Sequence, residues 1–165
     1  MITTEMKQDV LAALVQDSRC PVADIAARIG ATPEEVAQTI QELEDQKIVL
    51  KYTTLVDWSK ARSGYVYAFI DVSANPQHGE GFDGVADYIA RFDEVHSLYL
   101  MSGVHDLLVV VEGRDFRDIA TFVSEKLACL DQVRNTSTSF VLKAYKRDGL
   151  LVRPEPEDER LAVTP

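Results

Sequence analysis

Apolar positions in the first third of the chain recur at helical spacing. Met6, Val10, Leu11 and Leu14 fall on one face and predict a helix over Thr4–Gln16. Asp17-Ser18-Arg19-Cys20 breaks that pattern, and Pro21 opens a shorter helix that turns Val22, Ile25, Ala26 and Ile29 inward. Gly30 ends it at a position that accepts a left-handed backbone. Ala31–Gln46 predicts a third helix. Thr32 is placed to cap it, Pro33 suits the first helical position, Glu35 completes a capping box, and Val36, Ile40 and Leu43 form the apolar stripe. Two short helices joined by a Gly-containing turn, after a preceding helix, are the pattern of a helix-turn-helix. A unit of this size buries little surface and needs an attached strand pair or a partner. The β-branched and aromatic run Ile48–Val56 is read as a wing or linking strand.

From Gly64 onward the pattern changes. Tyr65–Val72 is a strand run, Asn75–Gly79 a loop, and Phe82, Val85, Ala86, Ile89 and Phe92 mark an amphipathic helix. Val95–Met101 and His105–Glu112 are strands around the turn Ser102-Gly103-Val104. Asp115 caps a helix that faces Phe116, Ile119, Ala120, Val123 and Leu127 inward, and Val133–Tyr145 is a last strand. The order β-α-β-β-α-β is the ferredoxin-like arrangement. The expected fold class is therefore α+β: an N-terminal winged helix-turn-helix over 1–49, a linking strand and linker over 50–63, a ferredoxin-like domain over 64–146, and a charged, proline-interrupted tail over 147–165. Helices on one side of a sheet demand alternation in its strands. Tyr65–Ile70 and Leu107–Val111 instead read as apolar on both faces, so the uncovered face is expected to meet a second copy in a homodimer, with Tyr65, Tyr67 and Phe69 in its core.

Charge complicates the third helix. The chain of 165 residues carries a net charge of -10, which disfavours non-specific binding to phosphate or anionic lipid. The outward positions Glu34, Glu35, Gln38, Gln41, Glu42, Glu44 and Asp45 include no Lys or Arg. The helix thus holds the position that enters DNA, with a charge that opposes it. The polar start of the chain predicts no signal peptide, and no apolar run reaches the roughly 20 residues of a membrane span. Cys20 and Cys129 match no metal spacing and are read as free thiols of a cytoplasmic protein. No nucleophile–base arrangement, glycine-rich phosphate loop or metal-ligand cluster stands out, so neither enzymatic activity nor a cofactor is expected.

Gly103 and Asp106 have two readings: a hairpin turn closed by local hydrogen bonds, or a polar corner that receives an α-amino group. His96 and His105 flank that turn as edge or interface residues, and the Thr136–Ser139 hydroxyls form either a solvated strand end or a carboxylate-binding edge.

Three stretches carry a resemblance to a known family: Asp24–Pro33, Leu43–Val49 and Ser102-Gly103-Val104-His105-Asp106. With the helix-turn-helix, the linking strand and the β-α-β-β-α-β unit, the chain up to about Lys146 resembles the Lrp/AsnC, or feast/famine, regulators. The resemblance implies a first domain that binds DNA and a second that dimerises, often further into octamers, with an effector, usually an amino acid, bound between second domains. It implies effector contacts at Ser102, Gly103, Val104, His105, Asp106, Thr136 and Thr138. In the first domain the residues expected at DNA are Thr32, Gln38, Thr39 and Gln41, the last three reading bases, with Arg28, Lys47 and Lys51 supplying the phosphate contacts. Lys47 stands where the family keeps a glycine. The expected function is a DNA-binding transcription regulator responsive to an amino acid or related metabolite. The alternative is an oligomeric metabolite sensor or assembly protein that retains the fold without binding DNA.

Overall fold

The computed structural model describes residues 3–58, 61 and 64–152. The chain divides into two compact units, Met1–Leu55 and Val56–Pro165, a division that falls within the segment expected to link two domains.

The first unit is three helices, α1 (Thr4–Gln16), α2 (Val22–Ile29) and α3 (Pro33–Asp45). Thr3 caps α1 by accepting from the Met6 N–H, and α2 ends at Gly30 with φ 70°, a left-handed conformation that glycine adopts without a Cβ clash. The capping box on α3 is formed: Thr32 Oγ1 accepts from Glu35 N–H, and Glu35 Oε2 accepts from Thr32 N–H. Val10, Ala13, Leu14, Ile25, Ala26, Val36 and Leu43 form one core, with Met6, Leu11, Ile29 and Ile40 packed at its edge. Past α3 the chain turns sharply at Lys47, φ 57°, and the N–H of Ile48 donates back to Leu43 O at 2.9 Å.

The expected wing or linking strand does not form. Val49 packs against the core, but no β-pairing occurs over 48–56, and Ile48, Leu50 and Tyr52 stay exposed. A strand exists through hydrogen bonds to a neighbour, and the described residues of this unit include no second strand.

The second unit contains β1 (Val66–Ala74), α4 (Asp83–Ile89), β2 (Val95–Leu100), β3 (Leu107–Gly113), α5 (Phe116–Thr121, continuing as a π-helical turn over Phe122–Leu127) and β4 (Val133–Phe140). The strands form an antiparallel sheet in the order β2-β3-β1-β4, the ferredoxin-like order. Ala68, Ile70, Val72 and Ala74 of β1 and Leu107, Val109 and Val111 of β3 are buried against Val85 and Ile89 of α4 and Ile119, Phe122 and Leu127 of α5.

Burial therefore alternates along β1 and β3, although their sequences do not. The opposite face is also less uniformly apolar than its central strands suggest. Tyr67, Phe69, Leu108, Val110 and Tyr99 form a band, and Asp71, Ser73, Ser97, Ser137, Ser139 and Glu112 surround it by register.

Two other elements differ from expectation. In α5 the π turn adds a residue to the repeat, so Phe122 and Leu127, five apart, both face inward, while Phe116 and Ala120 are exposed. The last strand ends at Phe140 rather than Tyr145. The chain then builds a small hairpin from β5 (Lys146–Arg147) and β6 (Leu150–Leu151), turned by Asp148 and Gly149 at φ 44° and 84°, the two positive values of a type I′ turn. The start of the expected tail is thus folded. Arg147 lies over the Tyr67 ring at 4.4 Å and donates to its hydroxyl at 2.8 Å, which fixes the hairpin to β1. The rest of the expected tail, 153–165, lies outside the described residues.

Ile70 is fully buried at the centre of the sheet. Ile70→Ala is expected to cost about 2–5 kcal/mol in a chemical denaturation of the second unit's transition. A loss below about 1 kcal/mol would mean that this core is not close-packed.

Candidate functional site

Two regions carry the chemistry expected of the chain, one in each unit. In the second unit the site starts at the end of β1. Asp106 N–H donates to Val72 O at 3.0 Å and Asp106 Oδ2 accepts from Ala74 N–H at 2.9 Å, so one residue is tied to β1 through both backbone and carboxylate. Met101 N–H closes the turn onto Asp106 O at 2.8 Å. His105 Nδ1 and Ser73 Oγ share a hydrogen bond of 3.1 Å. Between these anchors Ser102, Gly103 and Val104 are exposed, Val104 at 93%. The turn is rigid at its feet and open at its tip.

A third group joins Asp106 that local sequence reading did not find. Arg134 Nη2 lies 3.5 Å from Asp106 Oδ2. The β1–β4 register pairs Ser73 with Asn135 and then Ala74 with Val133, so Arg134 is the extra residue of a β-bulge, a device that re-aims a side chain. Only long-range register brings Arg134 to a turn 28 residues away, and no short motif signals it. Thr136 and Thr138 are placed differently. They pair with Val72 and Ile70, half-buried on the helix-covered side of β4, with β1 between them and Asp106.

His96 is the extra residue of a bulge in β2 and sits 3.4 Å from Glu112 at the other end of the sheet. A cleft of about 500 Å³ opens there, lined by Val111, Gly113, Ile119 and Phe122 among others. Most of its charges are consumed locally, Lys126 by Glu94 and Arg114 by Asp118. The Lys126 ammonium holds the Glu94 carboxyl below the usual carboxylate range. This cleft and the Ser102–Asp106 turn sit at opposite ends of β3, and the polar groups assembled at the turn make it the better site.

In the first unit the outward charges of α3 are largely occupied. Glu35 serves the cap, Glu42 pairs with Lys7 of α1 at 3.0 Å, and Glu44 accepts from the Tyr52 hydroxyl at 2.8 Å. Asp45 accepts from Gln41 Nε2 at 3.0 Å. Among the described residues only Glu34 on this helix is an acid without a partner. Gln38 is exposed and uncommitted, and Gln41 is exposed.

Thr39 is a correction. It is fully buried, its hydroxyl donates to Glu35 O at 2.7 Å and lies 3.7 Å from Met6 Sδ, so it packs α3 onto α1 and reads no base. Thr32 is likewise committed to the cap through its hydroxyl and its N–H. Arg28 is exposed and held by Gln16 at 3.2 Å, and Lys47 and Lys51 are exposed.

A helix-turn-helix unit followed by a βαββαβ unit is the architecture of a ligand-responsive transcription regulator. Residues 67–151 match the Lrp/AsnC ligand binding domain and residues 8–44 the AsnC-type helix-turn-helix domain. The chain belongs to the Lrp/AsnC family of transcription regulators. It is 44% identical to the HTH-type transcriptional regulator YugG of Bacillus subtilis over the whole of both chains. It is 28% identical to the HTH-type transcriptional regulator LrpA of Pyrococcus horikoshii, across 86% of this chain and 98% of that one. Among solved structures, a transcriptional regulator from Neisseria meningitidis in complex with L-Met is similar with a TM-score of 0.68 and 25% identity, over 89% of this chain and 94% of that one. No helix among the described residues is long and apolar enough to cross a membrane.

The capping box gives a pH-dependent prediction. Hydrogen bonds from the Thr32 N–H, first, and the Thr32 hydroxyl, second, hold the Glu35 carboxyl below its ordinary range. A carboxyl depressed in the folded state stabilises above the unfolded value, about 4.3, and loses that contribution as the pH falls through the folded value. Glu35→Gln is therefore expected to flatten the acid limb of thermal stability for the first unit. An acid limb identical to the parent's would show that the cap bears no charge-dependent load.

Proposed function

We propose that this chain acts as a cytoplasmic homo-oligomeric regulator that binds DNA weakly by itself and is tuned by an amino acid at the Ser102–Asp106 turn. The observation that carries the reading is the turn itself. Asp106 is fixed by Ala74 N–H with an arginine alongside, next to an exposed tip, and that suits a ligand with an ammonium and a carboxylate. The Neisseria relative, solved with L-Met, supports an amino acid as the class of ligand. The turn is too open to enclose a ligand in one chain, which fits a pocket completed by a neighbouring copy.

Oligomerisation has two further supports. Arg147 covers Tyr67, but Phe69, Leu108, Val110 and Tyr99 beside it have no such cover among the described residues, and a second copy of the same face is the occupant. Ile48 and Leu50 are large apolar side chains left exposed after α3, a second surface that another subunit can cover. Phe69→Asp is expected to shift the sedimentation of the protein toward the monomer while leaving its circular dichroism unchanged. An unaltered oligomer would remove this face from the interface.

On DNA, Gln38 and Gln41 are the readers, each able to take an adenine edge, and Arg28, Lys47 and Lys51 supply phosphate contacts. Of the acids on α3 only Glu42 is balanced by a cation, Lys7, while Glu35, Glu44 and Asp45 bond to neutral donors and keep their charge, which is why the binding proposed is weak. The decisive measurement is fluorescence anisotropy with DNA from the protein's own upstream region, with and without each L-amino acid, between about 50 and 200 mM salt. Steep salt dependence, an amino-acid-dependent affinity, and a salt slope lowered by about 1 per basic residue replaced among Arg28, Lys47 and Lys51 are expected. Absence of binding to any genomic fragment at low salt would instead support the oligomeric sensor without DNA.

A further inference from the structure

We propose that Arg134 is the specificity-determining residue of the turn: it demands a free α-carboxylate in the ligand, so that the site takes zwitterionic α-amino acids and discriminates against amines and carboxamides. This rests on the effector reading of Ser102–Asp106 given above. The juxtaposition is built by the sheet. The β4 bulge leaves Arg134 without a ladder partner and turns its guanidinium across the end of β1 to Asp106.

The Arg134–Asp106 contact is loose. At 3.5 Å it is at the limit of a hydrogen bond, and the arginine side chain is 56% exposed against 28% for the aspartate. Separating the two costs little at such a site. Asp106 does not move when Arg134 leaves, because the Ala74 N–H at 2.9 Å holds the same carboxylate oxygen. The pair is thus an ion pair with one fixed and one movable member.

Charge balance then sets the selectivity. An α-amino acid replaces the pair on both sides: its ammonium meets Asp106 and its carboxylate meets Arg134, and every charge keeps a partner. An amine alone takes Asp106 from Arg134 and strands the guanidinium. A carboxylate alone takes Arg134 and leaves Asp106 with the Ala74 N–H as its remaining partner. A carboxamide offers the guanidinium one neutral oxygen, without the opposite charge or the second acceptor oxygen of a carboxylate, so the cation is left without a counter-charge. The planar fork of arginine matches both oxygens of a carboxylate, which a lysine ammonium does not.

The test compares each L-amino acid that binds the full-length protein with its own C-terminal amide, by calorimetry, in the parent, Arg134→Gln and Arg134→Lys. In the parent the free acid should bind about 10- to 100-fold more tightly than the amide, the range of one charge-assisted hydrogen bond. Arg134→Gln should bring that ratio close to one by weakening the acid and sparing the amide, and Arg134→Lys should restore part of it. A role in holding β4 to the turn would instead weaken acid and amide equally. A ratio unchanged in Arg134→Gln overturns the assignment while leaving the effector site intact. Binding of no L-amino acid to the parent overturns the effector reading and this inference with it. A readout free of mutation is the Arg134 Nε–H resonance, which should shift with the free acid and stay in place with the amide. The same shift with both would also overturn the proposal.

Discussion

β1 is hydrogen-bonded on both sides, to β3 and to β4, and side chains along a strand point alternately to its two faces. With Ala68, Ile70, Val72 and Ala74 committed to the helices, Tyr67, Phe69, Asp71 and Ser73 must face away. One phase choice therefore sets both the core and the band available to a second subunit. The same strand terminates at Ser73 and Ala74, where it anchors His105 and Asp106, and its register with β4 slips there to project Arg134. A shift of one residue would turn the core outward and also dismantle the Ser102–Asp106 turn. The stability of this unit and its chemistry share a single constraint.

The first unit separates position from charge. Its helices, caps and core are those of a helix-turn-helix, while its residues up to Leu55 count nine acids against five bases. The structure shows where those acids go. Lys7 and Tyr52 hold two of them, the cap takes a third, and Gln41 ties Asp45. A carboxylate held by a neighbouring ammonium presents little field beyond about 10 Å at moderate salt. Only Glu42 is balanced in this way; Glu35, Glu44 and Asp45 are oriented by neutral donors and still face a phosphate with their charge.

The helices of the first unit were legible in the sequence because caps and period agree there. Thr3, Gly30, Thr32 and Pro33 mark the same boundaries as the apolar stripes. The βαββαβ order was legible for similar reasons. Four features were not. Thr39 reads as polar and outward, yet its hydroxyl returns to Glu35 O and its methyl group can join the core. Phe122 and Leu127, five residues apart, share the inward face because a π turn changes the period from 3.6. The strand expected after α3 lacks a partner within its own unit, and no pattern in one segment reveals whether another will pair with it. Arg134 belongs to the site through a bulge between distant strands, a fact of register rather than of motif. Gly103 and Asp106 were visible as a turn, and their family resemblance singled them out, but the groups that hold Asp106 were not.

Lys47 follows α3 with a backbone φ of 57°, a conformation that costs a residue bearing a Cβ roughly 1–2 kcal/mol. A glycine would sit there at ease, and would carry no cation. In the proposed DNA-bound state this position therefore sets conformational comfort against electrostatic grip. Selection for resistance to heat alone would favour Lys47→Gly and loosen the hold on nucleic acid. On that proposal, the strain at this turn measures how far the fold departs from its most stable form to keep a cation at the end of α3.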